Sequence, residues 1–537
     1  MHAKGNASVP RLLVVATVLL FTLSVRMDTR GGWAANGPDS PPELRMRWQD
    51  FISGPDGVKR LASLRAAVQK MKSLDNSPRD SADYRRSWQY WANIHGYYGA
   101  TSPDGTVEAQ IQFLKDTGRG RYVPYYQEIT NQSAPDATAQ AIWATCQHSG
   151  DTQALNFFGW HRMYLYYFER VLRWAAADDT LRLPYWDYTD PAQVTLPAEF
   201  QSKVSTLYDA RRNPDMNTGA ATLRPGSTNV DALLLREPDY FRFEDQIESN
   251  VHGYVHCTVG PTCPVAHMGD VPVAGDDPIF YLHHANIDRL WACWQHLRPT
   301  PAGAWQDQQF SFVDETGTMQ TQPVKNFLDS RSRGYVYDNF NNCARRSAAL
   351  VASTTPTEQA APAGGERTMA VLGTTAGILI NHPHTTVDIN VPELKLRDLF
   401  AQPEGAATTE LVLRDVTAEG PPGVLFDVYI AKKDAPNVRK LVGTISWFGA
   451  FRHHGGTGPY KKTLRFDVTD QLRELGGTAS SSGLTVTLEA TQGRVSAHPS
   501  MAPETQADAA NAFRPQAELQ IGAMELRQAT ASPVPEP

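Results

Sequence analysis

The sequence predicts a mainly α protein, a helix-bundle domain followed by a C-terminal β-sandwich domain. Between about Pro41 and Asn342, aromatic and aliphatic residues recur three and four apart, the spacing of an apolar helix face. From about Thr408, short runs of β-branched and apolar residues alternate with polar ones, the spacing of half-buried strands. Between these regions, Ala348 to Thr368 is rich in Ser, Thr, Pro and Ala and holds a Gly-Gly pair, the composition of a connection. The boundaries read from these shifts are residues 1–34 for an export signal, 41–345 for the helical domain, 346–370 for a linker, 371–527 for the sandwich and 528–537 for a flexible tail. A chain of 537 residues is long enough for each domain to bury a core of its own.

Taken in order, Lys4 and Arg11 precede an apolar run from Leu12 to Val25. That length suits a signal peptide and is short for stable membrane insertion, so the chain is expected to be secreted or periplasmic, with cleavage near Ala34 or Ala35. Glu43 to Lys72 reads as largely helical outside a Gly54-Pro55-Asp56-Gly57 break. Further helices are expected at Trp88 to His95, from about Trp160, and from about His283. Strands are expected at Glu410 to Val416, Val424 to Ile430, Leu441 to Trp447, Thr463 to Val468, Leu484 to Leu488 and Ala517 to Leu526.

The net charge of −7 is modest, and no basic run is interleaved with aromatics, which argues against nucleic acid as a partner. Small neutral or weakly charged substrates fit better. Five cysteines are an odd number for an exported chain; setting Cys146 aside leaves Cys257, Cys263, Cys293 and Cys343, of which Cys257 and Cys263 are the most local pair.

Spacing singles out some of the fifteen histidines. His252 and His256 are four apart, so on a helix both imidazoles leave one face and can grip one ion. In Asp277-Pro278-Ile279-Phe280-Tyr281-Leu282-His283-His284, proline suits a helix start, and adjacent histidines point about 100° apart, so one of them joins a given site. His284 is the one expected to do so, with Asp288 one turn beyond it as its supporting carboxylate and His283 left to packing or hydrogen bonding. Cys146-Gln147-His148, His161 and His95 supply a second set of imidazoles.

These segments resemble the common central domain of tyrosinases, catechol oxidases and molluscan haemocyanins, the type-3 copper proteins, over roughly Arg45 to Asp338. Pro184-Tyr185-Trp186-Asp187-Tyr188 and Tyr335-Val336-Tyr337 resemble further elements of that family, with Arg45 or Arg47 as the cationic partner of the latter. The resemblance implies two copper ions, one on His95, His148 and His161 and the other on His252, His256 and His284. Cys146, two before His148, matches the cysteine that forms a thioether to a histidine ring in fungal tyrosinases and molluscan haemocyanins. The His148-to-His161 separation is longer than the family's, and Asp151 to Ala154 reads as an insertion.

Neutral imidazoles suit copper, and six nitrogen ligands without a bridging carboxylate argue against a hydrolytic two-zinc site. The resemblance implies a polyphenol oxidase that takes small phenols and O2 and converts o-diphenols to o-quinones. Glu248 matches the family's water-holding glutamate, the catalytic candidate, but Gly253 stands where many strong hydroxylators carry asparagine, so diphenol oxidation is favoured and monophenol hydroxylation stays open. Val271 aligns with a gating phenylalanine and predicts an open entrance, while Phe280 is expected to pack on the ligand histidines. The sandwich resembles the shielding domain of such oxidases, and within Trp447 to His454 Phe451 is the candidate plug. The alternatives are a haemocyanin-type O2 carrier and an o-aminophenol oxidase.

Overall fold

The computed structural model describes residues 41–100, 102, 104–128, 137–146, 156–338, 369–401, 407–450, 460–476, 483–497 and 506–529. The export signal, His148, Cys343, most of the linker and Phe451 lie outside these residues. Residues from Pro41 onward form one compact unit. It has a helical half packed on a C-terminal domain of antiparallel sheets.

Helices α1 (Gly57–Lys72), α2 (Trp88–Asn93), α3 (Phe157–Ala176), α4 (Tyr240–Gln246), α5 (Gly253–Val259) and α6 (Ile279–Leu297) frame the site. Ser87 caps α2 by accepting the Tyr90 N–H, and Asp239 caps α4 through Arg242 N–H, each satisfying one of the donors that a helix start leaves open. Between α4 and α5, Ile247–His252 winds as a π-helix, the wider turn that recurs where a helix must aim a functional side chain.

Two sequence expectations are corrected. Glu43–Arg45 is not helical but forms strand β1, paired in parallel with β5 (Tyr335–Tyr337). A three-residue strand whose partner lies almost 300 residues away leaves no periodic trace. Helix α2 ends at Asn93, so His95 sits in the turn beyond it, its N–H donating to Ala92 O at 3.0 Å.

The other strands are β2 (Ala221–Leu223), β3 (Gln309–Val313) and β4 (Met319–Pro323) in the helical half. The C-terminal half holds β6 (Met369–Ile380), β7 (His384–Ile389), β8 (Thr409–Ala418), β9 (Leu425–Lys432), β10 (Arg439–Ile445), β11 (Tyr460–Asp467), β12 (Leu484–Thr491), β13 (Arg494–Ser496) and β14 (Leu519–Ala529). Two four-stranded sheets run β10-β9-β12-β7 and β11-β8-β14-β6. Their inward faces bury Val428, Ile430, Val486, Leu488, Leu411, Leu413, Met524 and Leu526. Strands β6 and β7 are missing from the sequence reading because Gly373 and Gly377 interrupt β6, an edge strand that begins inside the expected linker. Strand β14 runs to Ala529, into the expected tail.

The halves meet through a strand exchanged across their boundary, with β13 antiparallel to β2. Arg236 bridges Asp467 at 2.7 Å and Asp470 at 2.8 Å, and Arg224 pairs with Asp427 and Arg242 with Glu410. Among the described residues no helix is long and apolar enough to cross a membrane.

Candidate metal centre

Two buried groups of ligand-type side chains face each other in the helical half. His95, Cys146 and His161 form one, and His252, His256, His283 and His284 the other, with the ligand-type atoms of each group within 4.8 Å of one another. They adjoin, since the His161 and His284 rings stack with centroids 4.7 Å apart.

Backbone carbonyls set the tautomers. A carbonyl oxygen only accepts, so Nδ1 must be the protonated nitrogen in His161, which donates to Phe157 O at 2.7 Å, and in His256, which donates to Met268 O at 2.8 Å. His252 donates in the same way to Glu248 O at 3.3 Å. Each Nε2 is thereby left as a lone-pair donor aimed inward. His161 Nε2 lies 3.4 Å from His95 Nε2. Nε2 of His252, His256 and His283 and both nitrogens of His284 are buried without a hydrogen-bond partner. Burial, and then the neighbouring imidazoles, hold the proton affinity of His252, His256, His283 and His284 well below the ordinary histidine value. Buried, neutral, inward-aimed nitrogens are costly unless something binds them. A pair of copper ions fits this donor set.

Helices α3, which carries His161, and α6, which carries His283 and His284, are tied together. Asp288, one turn past His284 on α6, accepts Arg162 Nε from α3 at 2.5 Å, Tyr335 OH at 2.8 Å and Tyr337 OH at 2.6 Å. Arg45 lies 3.4 Å from the same carboxylate and stacks 3.7 Å over the Tyr335 ring. Glu244 on α4 accepts the Phe158 N–H at the start of α3 at 2.9 Å, and burial, against that bond, pushes its pKa up to about 8.

Phe280 packs on the histidines, its centroid 4.3 Å from His284 and 4.6 Å from His95. Val271 is buried in a 3-10 turn beside Gly96, the residue after His95. Glu248 is buried one turn before His252 and raises the proton affinity of that imidazole. Gly253 opens α5 at the boundary with the sheet domain. Cys146 lies outside the Cys257–Cys263 disulfide, and Cys293 is also disulfide-bonded.

Sequence reasoning missed Phe448. It follows β10, and its ring stacks on His256 at 3.7 Å and 8° and stands edge-on to His252 at 5.5 Å. The stretch around it was singled out, but one sequence does not rank Phe448 above Phe451. His283, expected to pack or hydrogen-bond, lies in the same buried group with its Nδ1 2.9 Å from Tyr188 OH, the last residue of the Pro184-to-Tyr188 element.

A family profile described as the common central domain of tyrosinase matches residues 85–220 and 197–297. Tyrosinase HcTyr1 of Hahella sp. (strain CCB-MM4) is 29% identical over 427 residues, covering 71% of this chain and 81% of the relative. The latent, chloroplastic polyphenol oxidase of Prunus armeniaca is 29% identical over 372 residues, 61% of this chain; the match spans 60% of that relative's length. Among solved structures, a latent aurone synthase (polyphenol oxidase) from natural source shares the fold at a TM-score of 0.55, with 18% identity and 92% and 91% of the two chains covered. With both buried histidine groups inside the profile-matched residues, this region is a common central domain of tyrosinase, and the two groups form a site for a pair of copper ions.

Proposed function

We propose that the chain is an exported o-diphenol oxidase held latent by its own C-terminal domain. The observation that carries this is the Phe448 ring lying on His256, supplied by the sheet half to a site built by the helical half. His95, His148 and His161 would hold one copper ion and His252, His256 and His284 the other, with His283 beside them. When bound, the copper pair supplies dioxygen activation and takes up the two electrons that an o-diphenol loses on becoming an o-quinone.

The remaining chemistry falls to the chain. An aromatic plate 3.7 Å from His256 occupies the face on which a phenol ring would stack, so Phe448 competes with substrate. Glu248 beside His252 is suited to receive the phenol proton through a water. Phe280 and Val271, both buried, hold the site dry and fix the rings. A thioether from Cys146 to His148 would lock a ligand ring that otherwise rotates. The names of two similar proteins, both called latent, agree with a shielded resting form.

Copper-loaded full-length protein is expected to oxidise catechol slowly alone and at least tenfold faster in mild detergent. An oxygen-binding absorption change without turnover in either condition would sink the oxidase reading.

A further inference from the structure

Position 253 lies where the two halves touch. Gly253 is the first residue of α5 and follows His252 directly. A Cβ placed on it would fall well inside contact distance of Ser446 Oγ, and 3.5 Å from both Ser446 Cβ and Phe448 Cβ. Ser446 comes immediately after β10 and donates to Ser249 O at 3.5 Å. The chain then turns tightly, with Ala450 N–H bonded to Trp447 O at 3.1 Å and Gly449 at φ 73°, so that Phe448 projects from a short, buried-Trp-anchored turn. Ser446 and Phe448 are thus placed against Gly253 by the end of β10 and by this turn.

From this we infer that the missing side chain at position 253 is the seat of the shield: glycine there lets Ser446 approach and so places Phe448 on His256. The inference rests on the latent-oxidase reading and adds its determinant. An alanine at position 253 must push Ser446 Oγ aside, and a longer side chain must also pass Phe448 Cβ, so a side chain there competes with the Ser446–Phe448 turn for the same space. In this chain a docked shield and a polar side chain next to His252 therefore oppose each other. An asparagine at 253 changes access before it changes chemistry.

The test is a double-mutant cycle on the full chain, read in two independent ways. Gly253→Ala keeps a helix-compatible residue at φ −63° and meets only Ser446 Oγ closely. Ser446→Ala deletes that atom and leaves Cβ at an ordinary distance. Gly253→Ala and Gly253→Asn are expected to raise catechol oxidation without detergent at least tenfold. In copper-free protein they are expected to speed amide exchange over Ser446 to Ala450 at least tenfold. Gly253→Ala combined with Ser446→Ala should return both readouts to within twofold of the parent. Ser446→Val, which brings bulk to the same contact from the other side, should open the site with the helical half untouched. A Gly253→Ala protein as latent and as protected as the parent overturns the inference, and so does an open one that Ser446→Ala fails to close. Exchange that follows the cycle while no variant oxidises catechol upholds the seat and refutes the oxidase reading instead.

Discussion

At the residue scale, the histidines divide by what holds their second nitrogen. His161, His252 and His256 each spend Nδ1 on a backbone carbonyl, which fixes both tautomer and ring angle and leaves Nε2 for metal. His284 spends neither nitrogen, whereas His283 is tethered to Tyr188 OH. If Tyr188 donates to Nδ1, the proton of His283 sits on Nε2 and that nitrogen is no ligand. Burial raises the Tyr188 pKa above that of an ordinary phenol, which keeps its hydroxyl a donor. His284→Ala is therefore expected to lower bound copper from about two ions per chain to about one and to cut oxidation by about a thousandfold or more. His283→Ala should keep both ions. Elemental analysis after dialysis distinguishes them, and equal copper loss in the two variants would show that His283 is a ligand. The i,i+4 pair and the His-His step were legible because a helix converts spacing directly into facing. The division of labour inside His283-His284 was legible only as the expectation that one of the two points away, since Tyr188 reaches His283 from a segment about a hundred residues distant.

At the element scale, the bundle is positioned by one carboxylate. Asp288 on α6 gathers Arg162 from α3, Arg45 from β1 and both tyrosines of β5, and none of these groups is exposed. Burial alone would raise the Asp288 pKa, but Arg162 and Arg45 outweigh it and hold it below the ordinary carboxylate value. The folded pKa is thus depressed, so the stabilisation is complete above the unfolded value near 4 and is lost as pH falls through the folded pKa. Asp288→Ala leaves the buried Arg162 guanidinium without a carboxylate while Arg45 keeps Glu169 at 2.9 Å, which should cost ~3–5 kcal/mol in urea unfolding at neutral pH. The parent should lose stability steeply below about pH 4, and the variant's curve should be flatter there. A variant within about 1 kcal/mol of the parent would mean that the arginines are satisfied without Asp288. Asp288 itself was readable as a carboxylate one turn after His284. Its partners were only partly so: the Tyr-x-Tyr pair and Arg45 stood out by resemblance, but the parallel β1–β5 pairing that delivers them carries no pattern in a three-residue segment.

At the scale of the whole molecule, the proposed latency would be a docking equilibrium between the halves. The interface joins parts that respond differently to solvent. The β13–β2 pairing and the bond from Tyr254 OH to Gly493 O at 2.5 Å are insensitive to salt, whereas the ion pairs of Arg224, Arg236 and Arg242 with acids of the sheet domain are screened by it. Alternation made most strands of the sandwich readable in advance. The interface was not readable, because charges scattered from Arg224 to Asp470 become neighbours only once both halves are folded. Arg236 is the pair of greatest leverage, since one guanidinium spans Asp467 and Asp470. A half-buried bridge of this kind contributes ~1 kcal/mol, about fivefold in an equilibrium. Arg236→Ala should accordingly raise detergent-free catechol oxidation about fivefold, and a rise in NaCl from about 0.05 to about 0.5 M should do the same to the parent while adding little to the variant. In Gly253→Ala, where the turn is already pushed aside, neither change should matter. Salt that activates the parent and Arg236→Ala alike would place the electrostatic hold elsewhere on the interface, and salt that activates neither would leave strand pairing and apolar burial as what keeps the shield closed.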